Sequence, residues 1–426
     1  LHRNTLSFTV HNTVLFKQQM LYWLQQHSIC CFLDNNQYQY AHNRLECLGA
    51  AGAINSFAPE KGDALQDLDK FCNQQNDWLF GHFAYDLKNE IEPLVSSHPD
   101  NIGFPDIFLF QPETIIQLQQ NKATISCINN QPALVFKQIS ETEVPVISNN
   151  GSINIQARLN RQEYINTIEE LRQHILRGDC YEMNFCMEFF AEHSTIQPVA
   201  VYQQLNALSP NPFSCFYRVN HNYLLCASPE RFLQKTGNKL ISQPIKGTIQ
   251  RSADNIQDEQ NKDYLLQSTK ERSENVMVVD LVRNDLSKIC TENSVQVEEL
   301  FGIYSFPQLH QMISTITGTL QPGISMTNIL RATFPMGSMT GAPKKRVMQL
   351  IEQYEHTRRG IFSGAVGYIT PDNNFDFNVV IRSIMYNANN QYLSYQVGSG
   401  ITFYSNADQE YEECLLKAKA IEKVLQ

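Results

Sequence analysis

The stretch "FNVVIRSIMYNANNQYLSYQVGSGITF", Phe377 to Phe403, decides how the chain is built. Apolar side chains alternate on both sides of "NANNQ", the mark of two half-buried strands joined by a polar turn. The alternation predicts strands over 375–386 and 392–397, paired as antiparallel neighbours. One residue resists this reading. Phe375, Phe377, Val379 and Ile381 share one face of the first strand, and Asp376, Asn378, Val380 and Arg382 share the other. A guanidinium amid apolar neighbours either faces solvent from an outer surface or holds a fixed anion such as a carboxylate.

Outward from this hairpin, strands are predicted at 223–228 and 362–369, and helices over 259–283, 343–358 and 408–425. A further helix starts at Asn160, which forms a capping-box pattern with Glu163. Its stripe is Tyr164, Ile168, Leu171 and Ile175, and it ends at Gly178. Strands and helices mix without regular βαβ spacing, so the expected class is α+β with a largely antiparallel sheet. "SETEVPVISNNGSINIQARL", from Ser140 to Leu159, is polar and turn-rich. It reads as a connection, 140–159, between an N-terminal part, 1–139, and a C-terminal region, 160–426. In the first part "CCFLD", "WLFGHFAYDL" and "ATISCI" look like short strands.

The 426 residues, 42% hydrophobic and 18% charged, suit a globular protein with a sizeable core. A net charge of -10 with no basic stripe argues against nucleic acid or an anionic membrane as partner. The 11 cysteines include no C-x-x-C pair, so neither a zinc site nor a disulfide framework is indicated. No apolar run reaches the ~18–20 residues of a membrane span, and "LHRNTLSFTVHN" lacks the apolar centre of a signal peptide. The expectation is a soluble cytoplasmic protein.

Several groups could carry chemistry. Glu271 and Glu274 lie three apart on a predicted helix, and Glu410 and Glu413 repeat the spacing with Lys417 one turn later. Each pair is either a solvated acidic face or half of a site for a hard cation such as Mg²⁺. "FPMGSMTGAPKKR" and "QVGSGITF" are tight turns, or places where backbone amides meet an anion. Lys246 in "QPIKGTIQR" is an exposed lysine or, if desolvated or set beside another cation, a nucleophile. His310 in "LHQMIST" fits a packed core histidine as well as a catalyst.

Together, "ASPERFL", "PIKGT", "KERSENVMVVDLVRNDLSKIC", "FPMGSMTGAPKKR", "RRGIFSGAVGYI", "VVIRSI", "VGSGI" and "EYEECLLKAKA" resemble the chorismate-utilising enzymes, in order from Gln162 to the C-terminus. "FGHFAYDL" extends the resemblance faintly into the N-terminal part. The resemblance implies two large packed antiparallel sheets, helices outside, and a Mg²⁺-dependent site between them. It gives Glu274 and Glu413 as metal ligands, with Glu271 and Glu410 beside the metal and its waters. It gives Arg382, Lys417, Gly398, Ser399, Gly400, Thr248, Thr340 and His310 as substrate contacts, and Glu230 of "SPE" as the acid protonating the departing 4-hydroxyl.

Lys246 stands where anthranilate and isochorismate synthases generally carry Ala and aminodeoxychorismate synthases carry Lys. This implies a transferase that replaces the 4-hydroxyl of chorismate by an amino group through a lysine adduct, on the way to 4-aminobenzoate and folate. Anthranilate synthase, which releases pyruvate, and a non-catalytic chorismate- or tryptophan-binding regulator are the rival expectations. The water-activating lysine of isochorismate synthases falls at Glu182, which disfavours water as nucleophile, and Phe362 replaces a tyrosine of some relatives. "LECLGAAG" around Cys47 is only superficially like a glutaminase elbow. Ammonia is therefore expected from a separate glutamine amidotransferase subunit in a heterodimer. Pro212, Phe213 and Ser214 resemble one wall of the tryptophan pocket of some relatives, while the usual N-terminal signature is replaced by "CFLDNN". Tryptophan inhibition is not expected.

Overall fold

A computed structural model of the chain describes residues 2–39, 42, 45–60, 62, 64–146 and 153–426. Among them are two large antiparallel sheets, of 12 and 10 strands, with helices around them, as expected for an α+β fold. One core fills the space between the sheets. It joins Leu48, Tyr217 and Leu224 of the larger sheet to Phe80, Leu109 and Leu240 of the smaller. A second core packs helices, through Leu24, Leu171 and Ile421 among others, on the outer face of the larger sheet. These aliphatic and aromatic side chains leave water on both faces of that sheet, the main driving force for stacking the layers.

The N-terminal strands Ile29–Asp34, Cys47–Ala51, Thr114–Gln119 and Lys122–Cys127 join the larger sheet, and Leu79–Phe83 and Ile107–Gln111 the smaller. Residues 147–152 of the connecting stretch lie outside the described residues. No helix among the described residues is long and apolar enough to cross a membrane.

Local chemistry explains most element ends. Asn160 and Glu163 form the expected capping box at the start of the Arg161–Leu176 helix. The single helix expected over 259–283 is two, Asn255–Gln267 and Thr269–Ser287. Ser268 divides them because its extended backbone ends the first while its hydroxyl accepts the Glu271 N–H to cap the second. The helices expected over 343–358 and 408–425 run Lys344–Tyr354 and Ala407–Leu425, and the strand expected over 362–369 is Ala365–Ile369.

The strand expected over 375–386 is also two, and they belong to different sheets. Phe375–Asn378 lies in the smaller sheet and Ser383–Asn387 in the larger. Between them the chain crosses the core, with Val379 and Val380 both buried and Arg382 in the left-handed region at φ +51°. A second crossing runs beside it in the opposite sense, from Asn222–Ser228 in the larger sheet through Pro229 and Glu230 to Arg231–Thr236 in the smaller. The two are tied together: Val379 N donates to Glu230 O at 3.0 Å, Ser228 Oγ to Val379 O at 2.6 Å, and Ala227 N to Arg382 O at 3.1 Å. Glu230 and Arg382 therefore both sit on a seam joining the sheets.

Candidate active site

The seam forms one wall of a cleft of about 960 Å³. The Ile245–Gln250 strand of the smaller sheet contributes Lys246 and Thr248, and the Tyr392–Thr402 strand of the larger contributes Gly398 and Gly400. The Thr269–Ser287 helix presents Lys270, Glu271 and Glu274, while the Ala407–Leu425 helix presents Glu410, Glu413 and Lys417. The i, i+3 spacing puts both members of each glutamate pair on the cleft side. Lys270 spans the two helices, with Nζ 3.4 Å from Glu410 and 3.9 Å from Glu274. The solvated-face alternative fails for Glu274 and Glu410, which are buried.

Lys246 is held by an ion pair, Nζ to Glu182 Oε1 at 2.5 Å. Both side chains press on Gly400, where a Cβ would lie 2.6 Å from Nζ and 3.0 Å from Oε1, so any larger residue there would displace the tips of the pair. Burial would lower the Lys246 pKa, but Glu182 and Glu274 outweigh it and raise it above the usual lysine value. Of the two conditions set for a nucleophilic lysine, Lys246 meets desolvation, but its neighbours are carboxylates and not a second cation.

Burial pushes Glu230 up to about 7, against the pull of Ser338 and Lys246. It is thus a carboxyl poised to give a proton near neutrality. Burial also raises Glu274 to about 8, Lys246 opposing and Glu182 and Glu271 adding to the rise. Glu413 is held below its usual range by Lys417, 2.7 Å away. Arg382 has its guanidinium drawn down to about 10 by burial alone. Its left-handed backbone, costing about 1–2 kcal/mol in a non-glycine residue, is the kind of strain that collects at working sites.

A buried ion pair supports the cleft from behind. Arg359 and Glu355 approach to 2.6 Å; Arg359 also donates to the backbone oxygens of Asn184 and Met339, and Glu355 accepts from Cys186 N. Asn184 and Met339 both line the cleft.

Three expected contacts do not line it. Ser399 alternates with Gly398 and Gly400, so its side chain faces the other way and meets the Tyr164 hydroxyl at 3.3 Å. The Thr340 hydroxyl donates to Met336 O within its own turn. His310 is a core histidine between Asp258 and Ser305, 2.9 Å from each, and its neighbour Gln311 faces the cleft instead. Nor does the glycine-rich stretch put a helix terminus at the cleft: Gly341 lets the chain pack on the Glu182 backbone, where a Cβ would fall 2.1 Å from Glu182 O. Asn184, Lys270, Gln311 and Gln396 line the cleft without having been singled out from sequence. The i, i+4 spacing of Lys270 and Glu274 was a usable signal for one of them.

Pro212, Phe213 and Ser214 lie elsewhere, in a second cavity of about 510 Å³ that they share with Leu33, Asp34 and Asn35 of "CFLDNN".

A model of the chorismate-binding enzymes matches residues 24–423. The chain belongs to that family. Aminodeoxychorismate synthase component 1 of Escherichia coli (strain K12) is 33% identical over 352 residues, covering 81% of this chain and 76% of the relative. An anthranilate synthase component I-like protein of Synechocystis is 32% identical over 355 residues, covering 81% and 71%. Anthranilate synthase component 1 of Thermus thermophilus is 29% identical over 359 residues, covering 82% and 77%. Among solved structures, anthranilate synthase component I from Streptococcus pneumoniae superposes with a TM-score of 0.78 at 24% identity, covering 91% of this chain and 95% of that one. The menaquinone-specific isochorismate synthase of Escherichia coli gives 0.78 at 18%, covering 100% and 95%. These two show that the chorismate-binding fold is shared. For a chorismate-binding enzyme the cleft has the right chemistry, with cations to hold carboxylates and carboxylates able to hold a cation.

Proposed function

We propose that this chorismate-binding enzyme is an aminodeoxychorismate synthase component I, converting chorismate and ammonia to 4-amino-4-deoxychorismate in the cytoplasm. The observation that carries the reading is Lys246, buried against Gly400 in contact with Glu182. Glu182 is the group able to take the Lys246 proton, and the amine then adds at C2 of the ring. The two ring double bonds each move one position, the C4–O bond breaks, and the oxygen leaves as water with the proton of Glu230. Ammonia next forms the C4–N bond, the double bonds return, and the Lys246–C2 bond breaks to restore the amine. Arg382 and Lys417 are the cations placed to hold the carboxylates of the dianion.

A magnesium ion fits the acidic side of the cleft. Glu274 Oε1 is buried with no hydrogen-bond partner among the described residues, and Glu271, Glu410 and Glu413 surround the same space. No group of three or more His, Cys, Asp or Glu side chains among the described residues is arranged as a metal cage; Mg²⁺ itself needs only one or two carboxylates and keeps several waters. Glu274 and Glu413 would hold it; when bound, it neutralises and orients a substrate carboxylate. Glu413→Gln is expected to raise the Mg²⁺ concentration needed for half-maximal activity about ten- to a hundredfold. A wild-type titration curve for that variant would remove Glu413 from the metal site.

The nitrogen donor is proposed to be a separate glutamine amidotransferase subunit, with free ammonia able to replace it. The second cavity, around Pro212–Ser214, remains the candidate site for tryptophan, with no inhibition assigned to it.

The test is to incubate the protein with chorismate, Mg²⁺ and an ammonium salt, following products by mass spectrometry and pyruvate by a coupled assay. An aminated product retaining its enolpyruvyl group supports the proposal. Anthranilate with released pyruvate would make the protein an anthranilate synthase.

A further inference from the structure

Lys246 lies where its strand loses step with its neighbour. Ile245 pairs with Ile313 and Thr248 with Gln311, so Lys246 and Gly247 together stand opposite Met312. This is a β-bulge, one residue more on the Ile245–Gln250 strand than on Leu309–Thr319. Counting from Ile245, an unbroken strand would turn Lys246 to the opposite face. With the extra residue, Ile245, Lys246, Gly247 and Thr248 all border the cleft. Gly247 makes the bend possible: its φ is +95°, and a Cβ there would lie 3.1 Å from Glu271 Oε2 and 3.2 Å from Leu265 Cδ1.

The bend is held from a glutamate-bearing helix. Asn275, next to Glu274 on Thr269–Ser287, donates Nδ2 to the Lys246 backbone oxygen, a long bond at 3.5 Å. Its own Oδ1 accepts the Ser314 hydroxyl at 2.6 Å. Ser314 Oγ in turn accepts the Phe301 N–H at 3.1 Å. Phe301 sits in a second bulge, on the Gln296–Ser305 strand that also pairs with Leu309–Thr319, and its φ is +61°. The directions of these bonds are fixed. With a backbone N–H at one end and a backbone oxygen at the other, Ser314 must donate to Asn275 Oδ1, which leaves the amide NH₂ for Lys246. Asn275 is 1% exposed and Ser314 fully buried, so neither exchanges these bonds for bulk water.

We propose that Asn275 and Ser314 are positioning residues for the Lys246 amine, holding the bulge that aims it at the ring carbon it attacks. The inference rests on the lysine-adduct reaction proposed above. The lysine stem is flexible, and Glu182 anchors its tip. Once the amine leaves that ion pair to add at C2, its backbone is the fixed point that remains. Neither Asn275 nor Ser314 borders the cleft, so each acts through where the Lys246 backbone lies. A misplacement of about 1 Å can cost about a hundredfold in rate. Because Asn275 follows Glu274 in the chain, the same link sets the distance between the lysine and a proposed metal ligand.

The test cuts the chain of bonds without touching the cleft. Asn275→Ala and Ser314→Ala are assayed with chorismate, saturating Mg²⁺ and ammonium chloride, after circular dichroism and thermal melting show each folded at the assay temperature. Asn275→Ala should lower kcat about ten- to a hundredfold, with the chorismate KM within about twofold of wild type. In samples quenched early in turnover, the adduct on the peptide containing Lys246 should appear more slowly by the same factor. Ser314→Ala should show the same split, with kcat down at least about threefold, and it decides the matter if Asn275→Ala does not fold. Because Ser314 acts through Asn275, the double variant should be no slower than Asn275→Ala alone. Unchanged kcat in the folded variants overturns the proposal, as does a chorismate KM that rises as far as kcat falls, or losses that multiply in the double variant. A wild-type protein that forms neither adduct nor aminated product fails earlier, at the reaction itself, so the two failures are distinguishable.

Discussion

Lys246→Ala is expected to slow formation of 4-amino-4-deoxychorismate about a thousandfold or more, because it removes the nucleophile of the first displacement. Chorismate binding should survive, since Arg382, Lys417 and the glutamates that would hold Mg²⁺ are untouched. The variant carries a side effect. Removing one partner of a buried ion pair leaves the other unpaired, typically at about 3–5 kcal/mol, and Glu182 is 2% exposed. A second variant, Lys246→Ala with Glu182→Gln, removes both charges. It should recover the lost thermal stability but none of the lost rate. Mass spectrometry of wild-type enzyme quenched during turnover with limiting ammonia should find chorismate less one water attached to the peptide containing Lys246. Near-wild-type turnover by Lys246→Ala would show that ammonia attacks the ring directly.

The second large effect belongs to Glu230. Glu230→Gln is expected to cost about 10²–10⁴ in kcat, the usual worth of a positioned general acid. Wild-type activity should carry the signature of the same group. Burial raises its pKa to about 7, so the proton-bearing form prevails below neutrality and is lost as pH rises through that value. At a fixed concentration of free ammonia, kcat should fall on the alkaline side, and Glu230→Gln should lack that limb. The ammonia control is needed because raising pH also converts ammonium to the attacking species. An unchanged alkaline limb in Glu230→Gln would assign it to another group.

What sequence could reveal about this site follows from the kind of element carrying each residue. On helices, a spacing of three or four fixes a shared face whatever the tertiary context, so the Glu271–Glu274 and Glu410–Glu413 pairs were readable together. On strands, alternation tells which residues share a face but not which face meets the cleft. The pairing of Thr248 with Gln311 in neighbouring strands places Gln311 in the cleft and His310 in the core. The same rule turns Ser399 away while leaving its flanking glycines at the site. The long strand expected over 375–386 carried its own warning in Val379 and Val380, consecutive apolar residues that interrupt a strict alternation. Both are buried because the chain there passes between the sheets. Nor could spacing show that Glu182 and Lys246 touch, since they come from different sheets and 64 residues separate them by number, 246 − 182.

The paired crossings have a mechanical consequence. A typical catalytic group is anchored to one element and tuned by motion of that element alone. Here the proposed acid and the proposed carboxylate clamp lie on segments each pinned at both ends, one end in each layer of the sandwich, and the two segments are stitched together by two backbone hydrogen bonds and the Ser228 hydroxyl. The seam works like a dowel through two boards: any slide of one layer over the other loads it first. Alignment of the reacting groups and register of the layers are thus a single coordinate.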